Sequence, residues 1–420
     1  MIRRHDVTPA QFAALAAGYG GPETIEALAR AQLSKHLLLI KFIAEAWVGA
    51  RAHRDAAVET LTRAQAAAPA EVAELLGSPL VGAWAADCTR RLRGGLRAEI
   101  PLDAECNHLS AIAAAAAALA GVEARLEVPS FGGRVAVPGF GLTKLDGAAV
   151  ATVACGRVTV AGAAQWLAPR TLSATSHGRS IRVTLDDVDP YRGGHHVPPT
   201  GRLTSVDGWQ AVFAEAWDLL ATHAPARADE LAAGLRTLIP LQQVDSHSAR
   251  SATIRDAFGA FGLTMPSRAT DLAVTLVHEF QHSKLSGLLD VTRLSDPGAT
   301  ELHFAPWRID PRPVSGLLQG VYAFLGIADL WRRLLPVVAE APQEYAVVRE
   351  QVRWGLTSLE GSGALTEAGR RFTSGMRAVF DDMAADRVPP ELVRRAERKL
   401  RGTHDAWQRR HQTTDSPARP

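Results

Sequence analysis

The stretch His278-Glu279-Phe280-Gln281-His282 constrains this chain more than any other. It is an H-E-x-x-H pattern inside a helical run. Leu272, Leu276, Phe280 and Ser283 fall at helical spacing, and Leu285, Leu288 and Leu289 extend the apolar face. The spacing predicts a helix from about Arg268 to Asp290, entered through Met265-Pro266-Ser267 as a strand end, a turn and an N-cap. Residues four apart lie one turn apart on one helix face, so His278 and His282 can direct ring nitrogens at a single metal ion. Glu279 then sits beside that ion, as a general base or as a group that orients a ligand. The competing reading is two surface histidines on an amphipathic helix. The apolar lead-in Val274-Thr275-Leu276-Val277 favours a buried helix instead.

At 420 residues the chain can bury a large core, and its length fits two or three domains. A net charge of +2 implies no strong field for nucleic acid or an anionic membrane surface, so neither partner is expected. Cys88, Cys106 and Cys155 are widely spaced without a C-x-x-C, which argues against a disulfide framework or zinc knuckle and fits a reducing cytoplasm. No apolar signal segment follows Met1-Ile2-Arg3-Arg4-His5, and the Ala-rich run from Ala111 to Val122 is too short to span a bilayer.

The expected fold class is α+β, mostly helical. Residues 1–121 read as helices, among them a long one from Glu23 to Trp47 whose Leu28, Leu33, Leu37, Leu38 and Leu39 suggest burial. His36, His53 and His108 are expected to be packed or surface residues. Residues 122–204 read as a β-rich segment, with alternation at 124–128, 134–137, 157–160 and 180–185. His195-His196 falls in a loop there. Residues 205–412 form the expected metal-binding region. Helices are predicted over 209–222 and 228–238, a strand over Thr253 to Phe261, then the motif helix, and helices over 316–334, 343–357, 365–382 and 390–410. An exposed strand edge beside the motif helix would be a place to pair an extended peptide. Residues 413–420 read as a disordered tail.

Between the motif helix and the next lie Ala305-Pro306-Trp307-Arg308 and Asp310-Pro311-Arg312-Pro313. Proline fixes the backbone around each guanidinium, so its direction is preset, which suits bidentate capture of a carboxylate. The alternative is a pair of structural bridges to Asp310. The helix beginning at Gly316 can bring Gln319 or Tyr322 to the metal.

Together, Leu276 to Leu285, Ala305 to Arg308, Asp310 to Pro313 and Gly316-Leu317-Leu318-Gln319-Gly320 resemble the HExxH-motif proteins of ribosomal-peptide biosynthesis, a family of 2-oxoglutarate- and iron-dependent peptide β-hydroxylases. The resemblance extends through the N-terminal part, with its Leu37-Leu38-Leu39-Ile40 run, but the central part carries nearly all its specificity. It implies Fe(II) held by His278 and His282, with 2-oxoglutarate and O2 as co-substrates and a precursor peptide as substrate. For the third ligand, imidazole chemistry favours His303, while the resemblance favours Gln319. One of the two is expected to bind. The distal carboxylate of 2-oxoglutarate needs a fixed cation, and Arg308 or Arg312 is expected to supply it. Two rival readings remain. One is a zinc metallopeptidase with Glu279 as the base on a metal-bound water. The other is a metal-free protein that escorts a precursor peptide.

Overall fold

The computed structural model describes residues 5–95, 100–145, 149–163, 165–193, 197–244 and 249–412. The His195-His196 loop and the tail 413–420 lie outside the described residues. The fold is α+β and mostly helical. Helices α1 (Pro9–Ala16), α2 (Gly21–Glu45), α3 (Arg51–Ala67), α4 (Pro69–Leu76), α5 (Pro79–Leu92) and α6 (Leu102–Leu119) come first. Strands β1 (Ala124–Val128), β2 (Arg134–Val137), β3 (Gly141–Lys144), β4 (Ala149–Ala154), β5 (Arg157–Val160), β6 (Arg170–Ser176) and β7 (Arg179–Leu185) follow. Then come α7 (Asp207–His223), α8 (Pro225–Gly234), β8 (Thr237–Pro240), β9 (Ser251–Thr253) and β10 (Ala260–Leu263). The motif helix is α9 (Ala269–Leu289). After it lie β11 (Leu302–His303), β12 (Arg312–Pro313), α10 (Val314–Leu334), α11 (Ala341–Glu360), α12 (Glu367–Ala384) and α13 (Pro390–Gln412).

Two hydrophobic cores cut across this order. The larger joins α1 and the first half of α2 to β6, β7, β8, β10 and helices α7 to α12. The smaller is built from the far end of α2, α3 to α6 and β1, β2, β4 and β5. Its axis is α6, where Ala111 to Ala118 are all buried. Side chains that small let α3 and β1 approach closely. The sheet of the larger core runs β6-β7-β8-β10-β9. Its middle pairs, β7 with β8 and β8 with β10, are parallel; its outer pairs are antiparallel. Strands β8 and β10 are buried throughout, as parallel strands covered on both faces must be.

Several expectations need correction. Leu37 and Leu38 are each 45% exposed, while Leu28 is buried. Consecutive helical residues point about 100° apart, so Leu37, Leu38 and Leu39 cannot share one buried stripe. The expected strand over Thr253 to Phe261 is two short strands with a turn between, where Gly259 adopts φ 79°. A side chain at Gly259 would meet the Gly234 carbonyl at 2.2 Å, so glycine is required there. The helix expected over 228–238 ends at Gly234, because Thr237–Pro240 is taken into the sheet as β8. The N-cap of α9 is Arg268 rather than Ser267, and no side chain caps it.

Among the described residues one helix, α10, is long and apolar enough to cross a membrane, and most of it is buried inside the fold. It packs along α9, helped by Gly326, where any side chain would strike Gln281 at 2.7 Å. This close seating places the α10 residue Gln319 against His282, the second motif histidine on α9.

Candidate metal centre

Leu272, Leu276, Phe280 and Ser283 bury one side of α9, and this fixes the rotation of the helix. His278 and His282 are thereby directed into a common cavity, their ring centroids 4.7 Å apart. Each ring is held through Nδ1. The Nδ1 of His278 lies 3.3 Å from Oε1 of Glu279, and that of His282 lies 3.0 Å from Oε1 of Gln319. Gln319 in turn donates its amide N–H to Ser286 Oγ at 3.3 Å. A ring fixed at Nδ1 presents its other nitrogen, Nε2, as the lone-pair donor. Burial above all, aided by the neighbouring His278, pushes His282 down to about 4. It is therefore neutral at pH 7, the form a metal ligand requires.

Glu279 is only 2% exposed and does not line the cavity. Its carboxylate points to β9. Ser251 Oγ donates to Oε1 at 2.6 Å, Thr253 Oγ1 donates to Oε2, and Thr253 Oγ1 also reaches the Glu279 carbonyl at 3.1 Å. Burial opposes its charge, but the hydrogen bond and charge interaction with His278, the interaction with His282 and the Ser251 hydrogen bond outweigh that and hold the carboxyl at about 2. The side chain is thus an anionic clamp between β9 and His278. As a general base it would have to meet a water inside the cavity, and its contacts lead elsewhere.

The cavity has a volume of about 630 Å³, within the range for small-molecule sites. Trp307 and Phe324 form an apolar wall, stacked at 4.6 Å, and Phe324 meets His278 edge-on at 5.6 Å. Gly320 makes room for this wall, since a Cβ there would fall 2.0 Å from the Trp307 ring. Arg308 and Arg312 both line the cavity as well. They are not equivalent. Arg308 donates Nε to Asp310 at 2.7 Å, the structural bridge weighed from the sequence. That bond holds the Asp310 carboxyl below its ordinary range. Arg312 lies 3.7 Å from Asp310, and its Nε is buried with no hydrogen-bond partner among the described residues.

The structure does not bring His303 to the histidine pair. It is 8% exposed, sits opposite Arg312 in the β11–β12 bridge, and has Nε2 3.9 Å from Glu301. Tyr322 is likewise outside the cavity; its ring packs on Phe372 and its carbonyl accepts from Gln281. Among the described residues no group of three or more His, Cys, Asp or Glu side chains is arranged to hold a metal. Of the third-ligand candidates, Gln319 is the one beside the pair, its amide oxygen at 3.0 Å from His282 Nδ1. Sequence reasoning did not anticipate Ser251, Thr253 and Ser286, which carry no motif, or the Trp307–Phe324 wall.

No protein-family model matches this chain, and a search of curated proteins finds no significant relative.

Proposed function

We propose that the chain is an Fe(II)- and 2-oxoglutarate-dependent oxygenase that hydroxylates a side-chain β-carbon in a ribosomally made precursor peptide. The observation that carries this reading is Arg312. A guanidinium whose buried Nε has no hydrogen-bond partner among the described residues shares one cavity with two imidazoles presented for a metal. A buried N–H without an acceptor is costly, and a carboxylate at that position satisfies it. A dicarboxylic keto acid spans such a cation and a metal; the product of a peptidase has no such need.

The donor set fits iron. His278 and His282 would hold the ion through Nε2; Gln319 would add its amide oxygen as a neutral third donor only on releasing His282 Nδ1, which it holds here. Iron with 2-oxoglutarate and dioxygen supplies the oxidising power that puts one oxygen atom into a C–H bond, the keto acid leaving as succinate and carbon dioxide. Arg312 anchors the distal carboxylate, and Asp310 keeps Arg308 from competing for it. Trp307 and Phe324 exclude water and pack the substrate side chain beside His278. Glu279 and Gln319 fix the two imidazole rings. The free thiols Cys88, Cys106 and Cys155 are in keeping with a cytoplasmic site of action.

The direct test is to incubate the purified protein with Fe(II), 2-oxoglutarate and a candidate precursor peptide under air. Succinate and a peptide heavier by one oxygen (about 16 Da) are expected. Cleaved peptide without succinate would overturn the reading. Glu279→Gln separates the two chemistries further. It keeps acceptor and donor atoms for Ser251 and Thr253, so hydroxylation should persist within about tenfold of wild type, whereas loss of a general base costs about 10² to 10⁴. Gln319→Ala should weaken iron binding about 10- to 100-fold, and His303→Ala should leave it unchanged, both read by anaerobic metal titration.

A further inference from the structure

The polar side chains of the metal cavity are committed. His278 and His282 are assigned to the metal and Arg312 to the keto acid. Gln319 is bonded to His282 and Ser286, and Asp310 to Arg308. The rest of the lining is Trp307, Ile309, Gly316, Gly320 and Phe324, which carry neither a charge nor a side-chain acceptor.

Ile309 is the unexpected member. It lines the cavity yet is 64% exposed, where an apolar side chain gains nothing from the water around it. The residues on either side hold it there. The bond from Arg308 Nε to Asp310 Oδ1, at 2.7 Å, spans Ile309, and Pro306 and Pro311 bracket the same stretch. The bridge that keeps Arg308 from the keto acid thus also fixes the backbone that presents Ile309.

Phe324 departs from its surroundings in the same way. Its neighbours Ala323 and Leu325 are buried, whereas Phe324 is half-buried and lines the cavity. Trp307, also half-buried, stacks on it. Gly316 and Gly320 precede Phe324 at four-residue steps, on the same face of α10. Gly320 makes room for the Trp307 ring, and Gly316 leaves empty the place beside Arg312 that a side chain would take, 3.7 Å from its Nε. Two aromatic faces and an isoleucine therefore border open space next to His278.

We infer that the substrate side chain taken into this cavity is apolar, aliphatic or aromatic, lying against Trp307 and Phe324 with Ile309 over its exposed end as a specificity-determining residue. The inference rests on the reading of the site as a peptide oxygenase and names the class of residue it acts on. An amide, carboxylate or ammonium in that place gives up its water and gains no partner. Leucine and asparagine are close in size, so this cost is what separates them.

The test uses the full chain without metal and takes single blocked residues as probes: the N-acetyl methylamides of leucine, phenylalanine, asparagine, aspartate and lysine, titrated by saturation-transfer NMR. The leucine and phenylalanine forms should bind saturably, and the other three at least about tenfold more weakly, the worth of a polar group buried without a partner. Ile309→Asp changes an exposed side chain, so it should unfold at the wild-type temperature and bind the leucine form about tenfold more weakly. No saturation by either apolar probe at about 10 mM would overturn the inference. So would an asparagine form that binds as tightly as the leucine form, or an affinity unmoved by Ile309→Asp. The titration needs neither iron nor 2-oxoglutarate, which keeps the two readings apart. Apolar selectivity in a protein that forms no succinate would overturn the oxygenase and leave the apolar slot standing. Succinate formed while oxygen enters an acidic or amide side chain would do the reverse.

Discussion

Arg312→Ala should raise the KM for 2-oxoglutarate and lower succinate formation by about 10- to 150-fold, the loss of about 1.5–3 kcal/mol expected for a charge-assisted hydrogen-bonding partner. Arg308→Ala should change either quantity by less than about threefold, since exposed ion pairs contribute about 0–1 kcal/mol. The asymmetry comes from Asp310. It holds Arg308 Nε at 2.7 Å and Arg312 only at 3.7 Å, and the buried Nε of Arg312 has no hydrogen-bond partner among the described residues. Steady-state assays that vary 2-oxoglutarate at saturating peptide measure both effects. Equal losses in the two variants, or a larger one in Arg308→Ala, would reassign the anchor.

Glu230→Ala should lower the unfolding free energy by about 3–5 kcal/mol, the usual consequence of removing one partner from a buried ion pair. Glu230 is 1% exposed and lies 2.9 Å from the Nζ of Lys284, which is wholly buried on α9. It also receives the amides of Gly20 and Gly21, and lies 3.6 Å from Arg227 Nη1. Arg227 completes the network with Asp329 at 3.1 Å. Without Glu230, two cations remain with one buried carboxylate. Urea denaturation gives the number, and a loss below about 1 kcal/mol would show that the network relaxes around the gap. Replacing both partners, Glu230→Gln with Lys284→Met, should recover much of the loss. The network also sets a pH dependence. Burial lowers Lys284 to about 8, against 10.5 for the free side chain. Between those values the unfolded chain holds more protons than the folded one, so the Lys284 contribution to stability rises with pH across that window. Lys284→Met should remove that slope.

The parts of the fold legible in advance were those whose apolar spacing repeats over several turns. Helices α9 and α10 fall within two residues of their expected bounds because a long buried stripe over-determines them. Strand β8 was missed because Thr237–Pro240 is four buried residues, too short to carry a period that distinguishes it from the end of a helix. At the site, His278 and His282 were legible because a four-residue spacing on a helix is itself a geometry. The roles of Arg308 and Arg312 were not, since the two lie symmetrically about Asp310 in sequence and only the folded loop distinguishes them. Nor was the direction of Glu279, which depends on two hydroxyls supplied by β9. No spacing along the chain links Ser251 and Thr253 to the motif.

The placement of β8 bears on how the molecule can be divided. It lies between β7, which precedes α7, and β10, which follows α8. A truncated version beginning at α7 would keep all the metal-facing side chains yet leave β8 with one row of backbone amides and carbonyls unpaired. Bare edges of that kind seek a second chain. Shortened forms, or chimaeras spliced between β7 and α7, would therefore tend to self-associate, and their loss of turnover would say nothing about the iron ligands.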